Sequence, residues 1–451
     1  MHTLPPGPRS TSLTATQWIR DPLGLLQRSA RRYGEPFTLK FWGLGPTVVT
    51  SSPTGLQQIF TAPQNVFASN IGITAGPLLG ENSLFMIDGT RHRRERALLG
   101  GPFHGSRMRA YGEAMQQIAL QHAARWPHGG AFRMYDVLQR ISLEIIIRTI
   151  FGVLQPAQVR RISEAIVDYV GAYTPILAFF PVTRREFNGH GPWSRFRQSM
   201  EQFERMMAEE IASRRSDGRA EGEDILSLLV AARDEQGVAM SDAELIDELK
   251  SVIFAGHETV AIALAWAFYW AHRLPDVSEQ VRAELAGLAG QPHPSDLQQL
   301  PYLGAVCDEA LRLNPSVSGV PRKLKHPLEL QGWSLPEGVA VLPAILTAHL
   351  NETTYPDPLA FRPERFLDRH YSPFQYLPFG GGSRRCLGAA FAKYEMKIVL
   401  GSILAQHRLA LADQQPVRMM TRTFTNAPKG GIPMIYRGPV DAGGQKSRGH
   451  R

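Results

Sequence analysis

The feature that most limits how this chain can fold is one long helical pattern between Ser241 and Pro275. Ser241 and Glu244 form a Ser-x-x-Glu capping box, which marks a helix start. Apolar residues follow at Leu245, Leu249, Val252, Ile253 and Phe254, and the pattern persists until Leu274-Pro275 stops it. At 1.5 Å per residue the spacing predicts a helix about 50 Å long, enough to cross a whole domain. From Val260 onward the helix is apolar nearly all round, so it belongs at the centre. The run Val260 to Ala271 is too short to span a bilayer. Helical patterning dominates from about Thr90 to Arg312. Strand-like runs occur at Phe37 to Trp42, Thr47 to Ser51, Leu328 to Leu330, Val339 to Leu342 and Met434 to Tyr436. The expected fold is therefore mainly α with a small β-region. Residues 1–437 are expected to form one domain, and the Gly-, Lys- and Arg-rich tail 438–451 is expected to be disordered.

Two cysteines, Cys307 and Cys386, cannot build a disulfide framework, which fits a reducing, cytoplasmic setting. Met1 to Ile19 lacks an apolar run, so neither a signal core nor a membrane anchor is expected. Leu4-Pro5-Pro6-Gly7-Pro8 reads as a rigid extended lead-in. The net charge of +8 reflects either a generally basic surface or a patch for an acidic partner. No nucleic-acid partner is expected.

The most informative stretch is Phe379-Gly380-Gly381-Gly382-Ser383-Arg384-Arg385-Cys386-Leu387-Gly388. Glycines let the backbone turn sharply and approach a flat cofactor closely. A helix is expected from Ala389 to Leu400, and its N-terminal N–H groups favour a thiolate on Cys386, with Arg384 as a neighbouring cation. A P-loop fails, because no Gly-Lys-Ser/Thr ending follows. The stretch matches the Phe-Gly-x-Gly-x-Arg-x-Cys signature at every specified position, including Gly388 two residues on, and in this the chain resembles the cytochromes P450.

That resemblance implies the helix-rich triangular prism of the family, haem b as cofactor, and Cys386 as the axial iron ligand with Phe379 packed near its sulfur. Further motifs fit the same family. Ala255-Gly256-His257-Glu258-Thr259 resembles its oxygen-activation motif. By resemblance, Gly256 clears space for dioxygen, Thr259 offers a hydroxyl, and Glu258 feeds protons from solvent. Val260 stands where many relatives carry a second threonine, and His257 is expected to face outward. His92 and Arg96, spaced i, i+4, resemble the helix that binds the haem propionates, with Arg322 and Arg384 as further contacts. Glu309 and Arg312 resemble the first two members of a structural triad, with Arg365, or failing it Arg362, as the third. Cys307 reads as core.

The resemblance implies hydroxylation of a lipophilic small molecule, RH + O₂ + 2e⁻ + 2H⁺ → ROH + H₂O. The expected electron donors are a separate ferredoxin and ferredoxin reductase, docking near Arg384, Arg385 and Lys393. The expected pocket includes Ile71, Ile73, Leu78, Leu79, Phe85, Ile176, Leu177, Phe179, Phe180, Val252, Ala255, Val317 and Phe424. No Lys or Arg occurs between Val66 and Gly89, and Arg184 and Arg185 are expected to face water. A neutral terpenoid or steroid is therefore favoured over a free fatty acid, whose carboxylate would need a cation. The alternatives are a haem-thiolate isomerase or dehydratase, and a non-enzymatic haem sensor; an intact Glu258-Thr259 pair argues against the isomerase.

Overall fold

The computed structural model describes residues 4–41, 45–69, 72–103, 106–152, 154–186, 188–216, 222–288, 291–422 and 424–440, with the side chains at 19, 73, 106 and 107 excepted. The long helix spans Asp242–Arg273. Its capping box closes as the sequence predicts: the Glu244 carboxylate accepts from the Ser241 N–H at 2.8 Å, and the Ser241 hydroxyl accepts from the Glu244 N–H at 3.3 Å. This central helix packs against the helices Met134–Phe151, Pro301–Leu313 and Ala389–Gln406. Leu264, Trp266 and Phe268 are fully buried among them. Each such side chain contributes about 1.5–3 kcal/mol through the area it removes from water. The helix is long and apolar enough to cross a membrane, yet most of its apolar stretch is buried inside the protein.

The strands gather at the two chain ends. A five-stranded sheet runs in the order Phe37–Phe41, Gly45–Thr50, Ala340–Pro343, Arg322–Leu324, Phe67–Ser69, with only the second and third strands parallel. A second sheet places Pro433–Pro439 between Ala131–Arg133 and His407–Leu411. The proline lead-in lies beside the first strand, where Thr38 donates to the carbonyls of Pro5 and Pro6. All five predicted strands are present, although Trp42 lies outside the described residues. The final strand runs past the expected end of the domain. Gly438 pairs with Arg408 and Pro439 with His407, so residues 438–440 are ordered by sheet pairing and do not belong to a tail. Residues 441–451 lie outside the described residues.

Candidate active site

The cysteine loop is shaped by its glycines. Gly380 and Gly382 have φ of 65° and 66°, a region that suits residues without Cβ. A Cβ on Gly381 would meet the Phe60 ring at 2.8 Å, and one on Gly382 would meet the Phe60 carbonyl at 2.6 Å. The close approach that these two glycines permit is to the helix Pro53–Thr61. Phe379 is partly buried, and its carbonyl accepts from the Cys386 N–H at 2.9 Å, which closes the loop.

The Cys386 side chain is solvent-accessible, yet burial is the largest influence on its thiol and pushes the pKa up. Both fit a sulfur that opens on an internal cleft. The Gly388 N–H, Arg96 and Arg385 act in the opposite sense and favour the thiolate. Arg384, the expected cation, is turned away: it pairs with Asp88 and donates to the carbonyls of Leu84 and Ile87. Cys307, by contrast, is fully buried, with its thiol pushed up to about 12 by desolvation.

Above the loop, the central helix changes character. Buried residues flank a run from Phe254 to Thr259 in which every residue is only half-buried. A half-buried turn in an otherwise buried helix is where that helix can border a cleft. Phe85, Val252, Val317 and Phe424 are half-buried as well. The Thr259 hydroxyl donates to the Ala255 carbonyl at 2.6 Å, and Ser316 donates to the Thr259 carbonyl at 2.8 Å. His257 is half-buried, its Nδ1 2.9 Å from the Ile253 carbonyl, and does not face freely outward. A Cβ on Gly256 would meet Ile146 Cδ1 at 3.1 Å. Its missing side chain therefore lets two helices pack closely.

A cluster of positive charge borders the same region. His92 is buried and has its pKa lowered to about 4, first by desolvation and then by Arg384 and Arg96. Gln64 Nε2 lies 2.8 Å from its Nδ1, so the neutral ring carries its proton on Nε2. Burial lowers Arg322 to about 10, and its only hydrogen bond shown is to the Gly381 carbonyl. Arg96 donates to the Arg385 carbonyl at 2.7 Å. Among the described residues Asp88 is the one carboxylate paired into this cluster, so buried positive charge exceeds negative. Such a site suits a group that brings carboxylates. No group of three or more His, Cys, Asp or Glu among the described residues could hold a bare metal ion. A single cysteine at a half-open helix therefore fits a metal that arrives with its own in-plane ligands, and haem, with its two propionates, meets both conditions.

The remaining expectations divide. Glu309 and Arg312 form a fully buried pair at 2.6 Å, and Arg365, buried, reaches Glu309 at 3.3 Å. The Arg362 side chain is exposed and pairs with Asp357, while its N–H donates to Glu309. Leu78, Leu79 and Leu177 are buried in the core, whereas Ile176 and Phe180 are exposed. Phe179 is partly exposed but lies 6.3 Å from the Phe424 ring. Ile71 and the side chain of Ile73 lie outside the described residues. Arg185 is exposed, and Arg184 is half-buried. Its guanidinium donates to the carbonyls of Leu177 and Ala178 at the end of a short helix. Lys393 pairs with Asp308, which leaves Arg385 as the exposed cation of the three expected near the cysteine.

The sequence reading missed several residues. Phe254 stacks edge-on against Phe424 at 5.8 Å, Asn426 binds the Pro315 carbonyl and Ser318, and Tyr135 and Thr425 both reach Glu258. Phe254 was within reach of the helical pattern; the others come from distant segments with no local signal.

Residues 5–434 match the family model described as cytochrome P450. The chain belongs to the cytochrome P450 family. Similar proteins include cytochrome P450 135B1 of Mycobacterium tuberculosis, 36% identical over 97% of this chain and 92% of that protein. Cytochrome P450 135A1 of the same organism is 33% identical over 95% of this chain and 94% of its own. Among solved structures, retinoic acid-bound cyanobacterial CYP120A1 superposes with a TM-score of 0.84 at 26% identity, covering 97% of this chain and all of that one. The fold is that of the family, this P450 binds haem b, and its activity falls within haem-thiolate monooxygenation.

Proposed function

We propose that this P450 hydroxylates a lipophilic isoprenoid-type molecule, a terpenoid or steroid, with Cys386 as the iron ligand. The observation that carries the reading is the pairing of a cysteine on an internal cleft with a half-open turn of the central helix at Glu258 and Thr259. Bound haem supplies oxygen activation, and the protein supplies position, protons and exclusion of water. Arg96, Arg322 and the His92 Nε2–H hold the propionates, and Arg384 braces the Leu84 to Asp88 segment that borders them. Cys386 would hold the haem iron as a thiolate, a form that the Gly388 N–H and Arg96 favour. Glu258 passes protons inward, and Thr259 moves its hydroxyl from the Ala255 carbonyl toward the cleft. An intact Glu258-Thr259 pair favours monooxygenation over isomerisation.

Val252, Phe254, Ala255, Phe85, Val317 and Phe424 offer the substrate an apolar wall. Arg184 is committed to helix carbonyls, which weighs against a free fatty acid. The retinoic acid of CYP120A1 is isoprenoid, and as a carboxylic acid it supports the carbon skeleton of the proposed substrate and not its neutrality. A ferredoxin with its reductase is the proposed electron source, docking near exposed Arg385. Spectral titration tests the substrate: terpenoids, steroids and retinoids are expected to shift the ferric Soret band at low micromolar concentration. A shift with fatty acids alone overturns the preference. Cys386→Ser is expected to lose the red-shifted Soret band of the reduced carbon monoxide complex, and Cys307→Ser to keep it; the reverse overturns the ligand assignment.

A further inference from the structure

The carboxylate of Glu258 is held in an unusual way for a half-buried acid. Oε1 accepts from the Tyr135 hydroxyl at 3.2 Å, and Oε2 accepts from the Thr425 hydroxyl at 3.3 Å. No Lys, Arg or His among the described residues forms an ion pair with it. Each oxygen thus has one neutral donor, and the group can exchange a proton without breaking an ion pair.

Both donors stand on rigid supports. Tyr135 opens the helix Met134–Phe151 and is 1% exposed, its N–H donating to the Gly431 carbonyl. Thr425 precedes Asn426, which is fixed by the Ser316 and Pro315 carbonyls and the Ser318 hydroxyl. Ser316 in turn donates to the Thr259 carbonyl, so Thr425 and Thr259 share one hydrogen-bonded frame. The exposed guanidinium of Arg422 lies over the Tyr135 ring at 5.3 Å. A line of contacts therefore runs from the surface at Arg422, through a buried phenol, to Glu258 and on to the next residue, Thr259.

We infer that Tyr135 and Thr425 are positioning residues that aim Glu258 between the Arg422 surface and Thr259, and so set how efficiently protons reach the cleft. This rests on the reading of Glu258 as the proton-delivering acid. Burial and the adjacent carboxylate hold the Tyr135 phenol well above its usual range, so it remains a donor throughout ordinary pH. The charged groups around the carboxylate are few. Arg422 and Asp136 act on Tyr135, and His257 on the same helix is bound to the Ile253 carbonyl.

Tyr135→Phe keeps the ring and its stacking and removes only the O–H. It is expected to bind haem and to give the wild-type carbon monoxide spectrum and substrate spin shift. Product formed per NADPH is expected to fall by roughly tenfold, the scale of a hydrogen bond lost to a charged group. Thr425→Val behaves likewise, and Thr425→Ser restores coupling. If Glu258→Gln uncouples the enzyme while Tyr135→Phe and Thr425→Val match wild type in coupling, the positioning role is overturned and the acid stands. If Glu258→Gln leaves coupling unchanged, the proton-delivery reading falls and the positioning role with it.

Discussion

At the scale of single residues, Gly256 shows how a motif and its neighbours divide the work. A methyl group there has two opposing effects. Alanine is about 1 kcal/mol better than glycine inside a helix, whereas crowding a packed contact costs about 1–3 kcal/mol. The contact is with Ile146 Cδ1, the atom that Ile146→Val removes. Gly256→Ala alone is therefore expected to lower stability by up to about 2 kcal/mol, and Gly256→Ala with Ile146→Val to be more stable than the sum of the singles. Thermal or urea unfolding of the four proteins checks this as a double-mutant cycle. Cys307 yields a second expectation. Its buried thiol, pushed up to about 12, stays unmodified when native protein is alkylated at pH 8, and reacts only in denaturant, as mass spectrometry would read.

At the scale of elements, the cysteine loop hangs from two fixed points. One is Phe60, against which Gly381 and Gly382 press. The other is His349, fully buried, whose Nδ1 meets the Arg312 carbonyl at 3.0 Å and whose Nε2 accepts from the Leu377 N–H at 3.0 Å. The Glu309–Arg312 pair is thereby joined to the start of the loop. Gly382→Ala meets both a positive φ and a backbone carbonyl at 2.6 Å. It is expected to cost about 1–3 kcal/mol, seen as a lower unfolding midpoint and faster haem loss to an acceptor globin. Local pattern made much of this legible. The glycine signature, the capping box at Ser241 and the Glu309–Arg312 spacing all lie within a few residues, where helix and turn geometry dictate who meets whom. The sequence was silent where partners are far apart. Tyr135 and Thr425 are 123 and 167 positions from Glu258, and no periodicity links them. It was also ambiguous where two fates need the same chemistry: Leu78 and Phe85 are both apolar, yet one is core and the other half-buried beside the cleft. Arg384 and Arg184 followed partners, Asp88 and two carbonyls, that only the folded chain supplies.

At the scale of the whole molecule, two acids are buried without an ion pair among the described residues, with only the Leu84 N–H acting on Glu248 and the Ser142 hydroxyl on Glu395. Glu248 and Glu395 are each 1% exposed, and desolvation pushes both up to about 8. In the unfolded chain both titrate near 4.5. The folded state thus holds their protons more tightly, so their contribution to stability is complete below about pH 4.5 and is lost as pH rises toward 8. A tenfold difference in proton affinity between the folded and unfolded chain is worth roughly 1.4 kcal/mol, so together the two acids tilt the stability curve by several kcal/mol. Glu395→Gln is expected to match wild type near pH 5 and to unfold at a higher temperature near pH 9, measured by calorimetry across that range. Equal pH dependence in the two proteins would rule the assignment out.

The half-buried turn of the central helix also bears on how this protein can change. Residues on either side of it are locked by neighbours on all faces, so substitutions there are felt throughout the core. Within it, Phe254 and Ala255 have open space on one side. Exchanging them reshapes the cleft while leaving most of the packing untouched. Stability and selectivity are thereby assigned to different turns of one rod, and an inherited or designed change of substrate has a short stretch of chain in which to happen at little risk to the fold.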